Sequence, residues 1–259
     1  MKKRSSIVIL GTGKVATRLG TALQDAGSNI TEVYGRNKIA AEKLAKKFSA
    51  NAITDLSAIT RHAHVYIIAV KDDAIPLIAK KLRVKQGIVV HTSGSVEMNV
   101  LAKCSPHTGV LYPLQTFSRD RKPDLGLVPV CIEASDTHTA SVLRSIAKKI
   151  SKRIVNVNSE QRAALHLSAV IANNFTNRLY ALAEKKLSEH QLSLSLLHPL
   201  ILETAQKAIA LGPLHAQTGP AARGDLKVIR KHLRMLKSDK ELSRLYKLLT
   251  ANIRSGMNG

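Results

Sequence analysis

Three small residues, Gly11, Gly13 and Ala16, have the spacing of a site that could hold a pyrophosphate group. In the pattern G-x-G-x-x-G/A, the first glycine permits a tight turn and the second lets the backbone approach the phosphates. The small third residue lets a helix pack closely on a strand. The helix that follows would present free backbone N–H groups and the positive end of its dipole to the anion. The pattern gains its weight from its position after a β-branched apolar run. We therefore expect the phosphates of a dinucleotide at Gly11, Thr12, Gly13, Lys14, Val15 and Ala16.

The end of the second predicted strand, residues 29–34, should decide which dinucleotide binds. An NAD site usually has an acid there for the ribose 2′-hydroxyl, whereas an NADP site offers an arginine to the 2′-phosphate. Glu32 lies too early in the strand, and the tip of the strand carries Arg36 and Asn37. Arg36 can form charge-assisted bonds to a phosphate and Asn37 can add a neutral donor, which favours NADP(H). The alternative is that Arg36 and Lys38 are solvated loop charges of a basic chain.

A polar cluster, His-Thr-Ser-Gly-Ser at 91–95, follows the predicted strand 86–91. Ligands of doubly wound sheets bind at the carboxyl ends of the strands, where this cluster lies. Ser93 could therefore bond a nicotinamide or a substrate, or it could cap a helix predicted over 96–104. Val70 ends the neighbouring predicted strand and is expected to contact the cofactor.

His166 is the candidate proton donor, because a histidine can give up a proton near neutral pH. Asn173 and Asn174 lie two turns further along the same predicted helix face and could bond a substrate carbonyl or carboxylate. Arg223 could hold a substrate anion. Equally, His166 could be a core or interface histidine, the asparagines could bond between helices, and Asp225 could be a plain helix cap.

These residues require a parallel sheet and a helical region to position them. Strands alternate with helices up to about residue 157, which predicts an α/β, Rossmann-like, doubly wound and mostly parallel sheet. From 158 onward the pattern is all helical, and it opens with a helix over 160–187. We therefore expect an NADP-binding domain over 1–157 and an all-α substrate and dimerisation domain over 158–259, with the substrate cleft between them.

Composition excludes several classes of protein. The formal net charge is +22, but the 40 Lys and Arg are spread along the 259 residues and aromatic residues are only 3%. This argues against nucleic-acid binding as the main role. No apolar run approaches a membrane span, and no His, Cys or carboxylate spacing indicates a metal site. Two cysteines without a CxxC pair favour a reducing cytoplasm.

Several motifs in fixed order resemble the 6-phosphogluconate dehydrogenase-like superfamily, which includes pyrroline-5-carboxylate reductase, β-hydroxyacid dehydrogenases and deazaflavin-dependent NADP oxidoreductases. The match is closer to an uncharacterised Rossmann-like family with a carboxyl-terminal domain of unknown function. The resemblance implies hydride transfer between NADP(H) and a small carbonyl, imine or alcohol substrate, and a homodimer built through the helical domain. The motifs are GTGKVA (11–16), HVYIIAV (64–70), HTSGS (91–95), YPLQTFS (112–118), HLSAVIANN (166–174) and TGPAARGD (218–225).

The chain departs from the β-hydroxyacid dehydrogenases in one respect. Those enzymes carry a catalytic lysine followed four residues later by an asparagine, whereas here His166 stands near that place and the helix has no lysine from Arg162 to Leu182. The lysine mechanism therefore does not carry over. The alternative to an enzyme is a non-catalytic NADP-binding sensor or a module that binds a partner.

Overall fold

The computed structural model describes residues 5–118, 121 and 123–256. In the described part of the chain, one eight-stranded sheet precedes a helical region. The strands are β1 (Ser6–Leu10), β2 (Asn29–Tyr34), β3 (Asn51–Ile53), β4 (Val65–Ile68), β5 (Ile88–His91), β6 (His107–Pro113), β7 (Val130–Ala134) and β8 (Ile154–Asn156). The helices are α1 (Lys14–Asp25), α2 (Lys38–Phe48), α3 (Ile75–Lys81), α4 (Thr137–Lys148), α5 (Ser159–Ala169), α6 (Thr176–Ser188), α7 (His198–Leu211), α8 (Pro213–Ala216), α9 (Leu226–Met235) and α10 (Lys240–Gly256).

The strand order is β3-β2-β1-β4-β5-β6-β7-β8. The six strands β1 to β6 run parallel, β7 is antiparallel to β6, and β8 is parallel to β7. The first six strands thus have the 3-2-1-4-5-6 order of dinucleotide-binding sheets, which confirms the predicted fold class. The strand order reverses at β1, so the crevice where such sheets bind ligands opens at the carboxyl end of β1, directly before Gly11.

Side chains that alternate along β1 supply the two faces of the sheet. Ile7 and Ile9 point to the face covered by α1, α2 and α4, where Leu19, Leu23 and Phe48 are buried. Val8 and Leu10 join the opposite core with residues of α3. Because both faces are covered, residues 7–10 of the strand are all apolar, as the sequence predicts.

The α-helix predicted over 96–104 is wrong. Only a 3₁₀ turn, Met98–Leu101, forms there. The backbone N–H of Met98 donates to the Ser159 hydroxyl at 3.3 Å, so a tertiary bond takes the place of an intrahelical one.

The helix predicted over 160–187 contains a π-helical segment, Val170–Phe175, between α5 and α6. A π turn takes more residues than an α turn, so the α-helical spacing that related Asn173 to His166 does not hold through it. The chain divides into two compact units between Ala172 and Asn173. The first unit therefore extends past residue 157 and includes α5, whose Arg162 and His166 bond to residues of the sheet unit.

Polar side chains cap the first turns of α5, α9 and α10. Asn158 and Gln161 form a capping box at the start of α5, with bonds of 2.8 and 3.0 Å. Asp225 caps α9 by accepting from the N–H of Val228 at 3.1 Å. At the start of α10, Asp239 accepts from the N–H of Leu242 at 2.9 Å. Within the described residues, every helix is too short or too polar to cross a lipid bilayer.

Candidate functional site

The turn after β1 has a shape that only glycine allows. Gly11 has a φ of +134°, and a Cβ atom there would lie 2.2 Å from the carbonyl oxygen of Ala69. Its N–H donates to the carbonyl of Tyr34 at 2.8 Å, which fixes the turn against the end of β2. Val70, predicted as a cofactor contact, packs on the same turn, with Cγ1 3.3 Å from that Cβ position.

The start of α1 is open to a ligand. Gly13 is the residue before the helix and provides no side-chain cap, and the first turn carries no acid. A Cβ atom on Gly13 would meet nothing within 4 Å. Ala16 is buried against the sheet, as the fingerprint predicts. Uncapped N–H groups, a positive helix end and free space beside the backbone fit the pyrophosphate of a dinucleotide.

The turn after β2 carries the residues predicted to bind a 2′-phosphate. Arg36 is exposed there. Asn37 caps α2, because its Oδ1 accepts from the N–H of Ala40 at 2.9 Å. This bond leaves its amide nitrogen as the group that can donate to a phosphate. Lys38 lies 3.9 Å from Glu42, and both are exposed.

The polar loop at 91–96 is held together by its own hydroxyl groups. The Ser93 Oγ accepts from the N–H groups of Ser95 and Val96, both at 3.1 Å, and lies 3.4 Å from the Ser95 Oγ. The Ser95 hydroxyl in turn donates to Asp72 at 2.5 Å. The Ser93 hydroxyl thus uses its one donor and both acceptor positions inside the loop. A bond from Ser93 to a ligand would have to replace one of these.

Arg162 anchors the same loop from α5. Its side chain is fully buried and pairs with Glu133 at 3.0 Å. Ser159 bridges the pair, accepting from Arg162 Nη2 at 2.9 Å and donating to Glu133 at 2.9 Å. The remaining guanidinium nitrogen, Nη1, donates to three backbone carbonyls, those of Ser93, Gly94 and Val96, at 3.2, 3.2 and 2.7 Å. One buried cation therefore fixes the backbone direction of the loop.

His91 lies beneath this loop and is neutral. Its Nδ1 accepts from the N–H of Ser93 at 3.2 Å, so the ring proton belongs on Nε2. Nε2 is buried and makes no hydrogen bond to the described residues. Burial lowers the pKa of His91 to about 4, and the positive charge of Arg162 acts in the same direction.

His166 lies one turn after Arg162 on α5 and is half-buried. Its Nδ1 is 3.0 Å from the Tyr112 hydroxyl, and the two rings meet edge-on with centroids 6.0 Å apart. The ring also lies on Gly94, where a Cβ atom would be 2.6 Å from Nδ1. The structure therefore brings together His166, the loop that contains Ser93, and two residues that the sequence did not single out, Tyr112 and Arg162.

Three predicted substrate contacts belong to the second compact unit. Asn173 and Asn174 lie in the π-helical segment, where one side-chain amide donates to the other at 3.1 Å. Arg223 is exposed in the turn before α9. The part that these three residues play in substrate binding stays a prediction.

Sequence signals could have pointed to the residues that were missed. Arg162 precedes His166 by four residues, so both lie on one face of α5. Glu133 is an acid within an otherwise apolar strand, β7. Tyr112 opens the motif YPLQTFS, close to the end of β6.

A cavity of about 840 Å³ lies at the opposite, amino-terminal ends of the strands, beside the residues that precede β4, β5 and β6. Arg83, in its lining, donates to two backbone carbonyls at the end of α3. Cys104 is buried, and burial raises the pKa of its thiol to about 11, so it stays a neutral thiol. His166 and the residues around it lie at the carboxyl ends of the strands, so we place the candidate site there. In the described part of the chain, no three metal-ligating side chains converge.

Comparisons with known proteins agree with this architecture. Residues 1–116 match a Rossmann-like domain family, and residues 128–253 match a domain of unknown function, DUF2520. No curated protein matches the chain.

Among solved structures, the chain is 43% identical to a protein of Bacteroides fragilis that is provisionally named an NADP oxidoreductase. The match has a TM-score of 0.89 and covers 97% of this chain and 98% of that one. A Thermotoga maritima protein is 23% identical, with a TM-score of 0.82 and coverage of 98% and 100%. A reductive aminase of Aspergillus terreus, solved with NADPH and ethyl-5-oxohexanoate, is 15% identical with a TM-score of 0.74 and coverage of 99% and 96%, and so shares the fold. With a Rossmann-like domain followed by the domain of unknown function DUF2520, this chain belongs to the family of its Bacteroides fragilis relative.

Proposed function

We propose that the protein is an NADP(H)-dependent oxidoreductase that transfers a hydride between the nicotinamide and a small carbonyl, imine or alcohol substrate. The observation that carries the proposal is the open, uncapped start of α1 beside Gly11, at the switch point of a 3-2-1-4-5-6 sheet. The name of the 43% identical relative supports the same cofactor class.

The residues of the chain divide between holding the cofactor and handling the substrate. The turn 11–16 would hold the pyrophosphate, and Arg36 and Asn37 the 2′-phosphate. Bound NADPH would supply the hydride. His166 would exchange a proton with the substrate, since it is half-buried and lies on the loop at the carboxyl end of β5. Ser93, Asn173, Asn174 and Arg223 are the proposed substrate contacts.

The proposed assembly is a homodimer formed through the helical unit. Helix α7 has no buried residue, and Leu200, Leu202 and Ile209 on it are 62%, 63% and 86% exposed. Apolar side chains in such number on one helix are typical of a surface that another chain covers. Light scattering should give the mass of two chains. Both cysteines are free and buried, which fits the reducing cytoplasm proposed as its location.

The test of cofactor choice is a titration with NADPH and NADH that follows nicotinamide fluorescence. We expect tight NADPH binding and weak NADH binding. Arg36→Ala should weaken NADPH binding by about tenfold to a hundredfold, because a charge-assisted bond contributes about 1.5–3 kcal/mol. NADH binding should stay unchanged.

Lys38→Ala is the matched control, because it removes a neighbouring exposed cation. Equal losses in both variants would show a general charge effect, and a preference that survives Arg36→Ala would contradict the assignment. Turnover with a panel of carbonyl and imine substrates then separates an enzyme from a non-catalytic NADP-binding module, which would oxidise NADPH with none of them.

A further inference from the structure

The neighbour of His166 on β6, Tyr112, is placed to act on the imidazole. Its hydroxyl lies 3.0 Å from Nδ1, and the ring planes cross at 72°. The backbone of Gly94 packs against the imidazole so closely that a Cβ atom there would overlap the ring. The ring is thus fixed by a hydrogen bond and a close backbone contact.

This contact makes the two imidazole nitrogens unequal. A neutral imidazole carries its proton on one nitrogen, and the partner of the other nitrogen decides which. Tyr112 is 9% exposed, and burial raises the pKa of its phenol, so the hydroxyl stays protonated at neutral pH. A phenol can both donate and accept, so it can bond to Nδ1 in either charge state of the ring.

We propose that Tyr112 is a positioning residue for proton transfer by His166: its hydroxyl engages Nδ1, so that Nε2 is the nitrogen that exchanges a proton with the substrate. This role rests on the proposed function, and it identifies Tyr112 as the residue that orients the general acid, His166.

With a carbonyl substrate, hydride transfer to carbon is coupled to proton transfer from His166 to oxygen. The carbonyl carbon would receive the hydride that bound NADPH supplies, and the carbonyl would be reduced to an alcohol as NADPH is oxidised to NADP⁺. The carbonyl oxygen takes the proton from Nε2 of the imidazolium, so an N–H bond breaks and an O–H bond forms. The ring becomes neutral and keeps Nδ1–H, which donates to the Tyr112 oxygen. Solvent returns the lost proton.

Among the described residues, Arg162, Asp72 and Cys131 act electrostatically on Tyr112. Arg162 lies one turn earlier on α5 and is neutralised by Glu133 of β7. Asp72, after β4, accepts from Ser95 in the loop under the ring. Cys131 on β7 is buried, and burial raises the pKa of its thiol. Tyr112 is therefore the group that bonds directly to His166.

The test is Tyr112→Phe, which keeps the ring and removes only the hydroxyl. We expect turnover to fall about tenfold or more, because positioned general acids contribute about 10²–10⁴-fold to rate. The KM and the NADPH affinity should stay within twofold of the wild type, and the alkaline limb of the pH profile, where a general acid loses its proton, should move. Nitrogen-15 NMR of His166 should change from one dominant neutral tautomer to a mixture.

The chain offers a matched control. Tyr246 and His232 form a similar pair in the helical unit, with 2.9 Å between the hydroxyl and Nδ1 and rings that meet edge-on. Tyr246→Phe should change the NMR signals of His232 and leave turnover and the His166 signals as they are. If Tyr112→Phe does not fold, fluorotyrosine at 112 lowers the phenol pKa, and we expect it to shift the Nδ1 signal of His166.

The two proposals can fail separately. Unchanged His166 signals and an unchanged pH profile in Tyr112→Phe would overturn the role of Tyr112 and leave the proposed function standing. Wild-type protein that binds NADPH but reduces no member of the substrate panel would overturn the proposed function, whatever the NMR shows.

Discussion

Acidification should destabilise this protein through one buried histidine, His91. The folded state holds the ring neutral with a pKa of about 4, against an ordinary value of 6.5 in the unfolded chain. Between these two values the unfolded state binds a proton that the folded state does not. The stability is therefore fully present above about pH 6.5 and is lost as the pH falls towards 4.

The size of the effect follows from the two pKa values. Each pKa unit corresponds to about 1.4 kcal/mol, so the unfolding free energy should fall by about 3 kcal/mol across this window. The slope should be about 1.4 kcal/mol for each pH unit between those limits. Against a typical total stability of about 5–15 kcal/mol, this loss is easily measured.

The assay is urea denaturation at several pH values from 7.5 to 4, on wild type and His91→Asn. Asparagine keeps a side-chain acceptor for the Ser93 N–H but does not titrate, so its curve should lack the His91 slope. His62→Asn removes an exposed histidine and should follow the wild type. A wild-type slope that persists in His91→Asn would refute the reasoning, because the loss would then come from other groups.

Two further changes test the turn and the buried cation. Gly11→Ala should cost several kcal/mol of unfolding free energy and abolish cofactor binding, because its Cβ would lie 2.2 Å from a backbone oxygen. The control is Gly27→Ala, at a φ of +77° with open space around it, which should cost only about 1–2 kcal/mol. Equal losses in the two variants would contradict the steric argument. Arg162→Met should cost about 3–5 kcal/mol in urea denaturation, because it leaves Glu133, whose side chain is only 12% exposed, without its partner. The double variant with Glu133→Gln should recover part of that loss and not all of it, since the carbonyls of the 91–96 loop still lack a donor. Full recovery would mean that those carbonyl bonds add nothing.

The sheet was predictable because its signal is local. Four consecutive apolar residues in β1 and the alternation of strands with helices reflect burial on both faces, and burial selects residue types wherever it occurs. The α-helix expected over 96–104 failed for the opposite reason. Its backbone groups are taken by Ser159 on α5 and by the Arg162 guanidinium, and no local pattern reveals partners some 60 residues away.

The sequence by itself determined the sheet and the Gly11–Ala16 turn, because glycine spacing and hydrophobic periodicity are local patterns of neighbouring residues. It also indicated His166 as a candidate acid, because of its residue type. The tertiary structure alone decided what surrounds that histidine. Tyr112 on β6, Gly94 after β5 and Arg162 on α5 meet because three separate elements converge at one edge of the sheet. The pKa of His91 depends on the same convergence, since burial and a nearby cation are properties of packing and not of the residue's place in the chain.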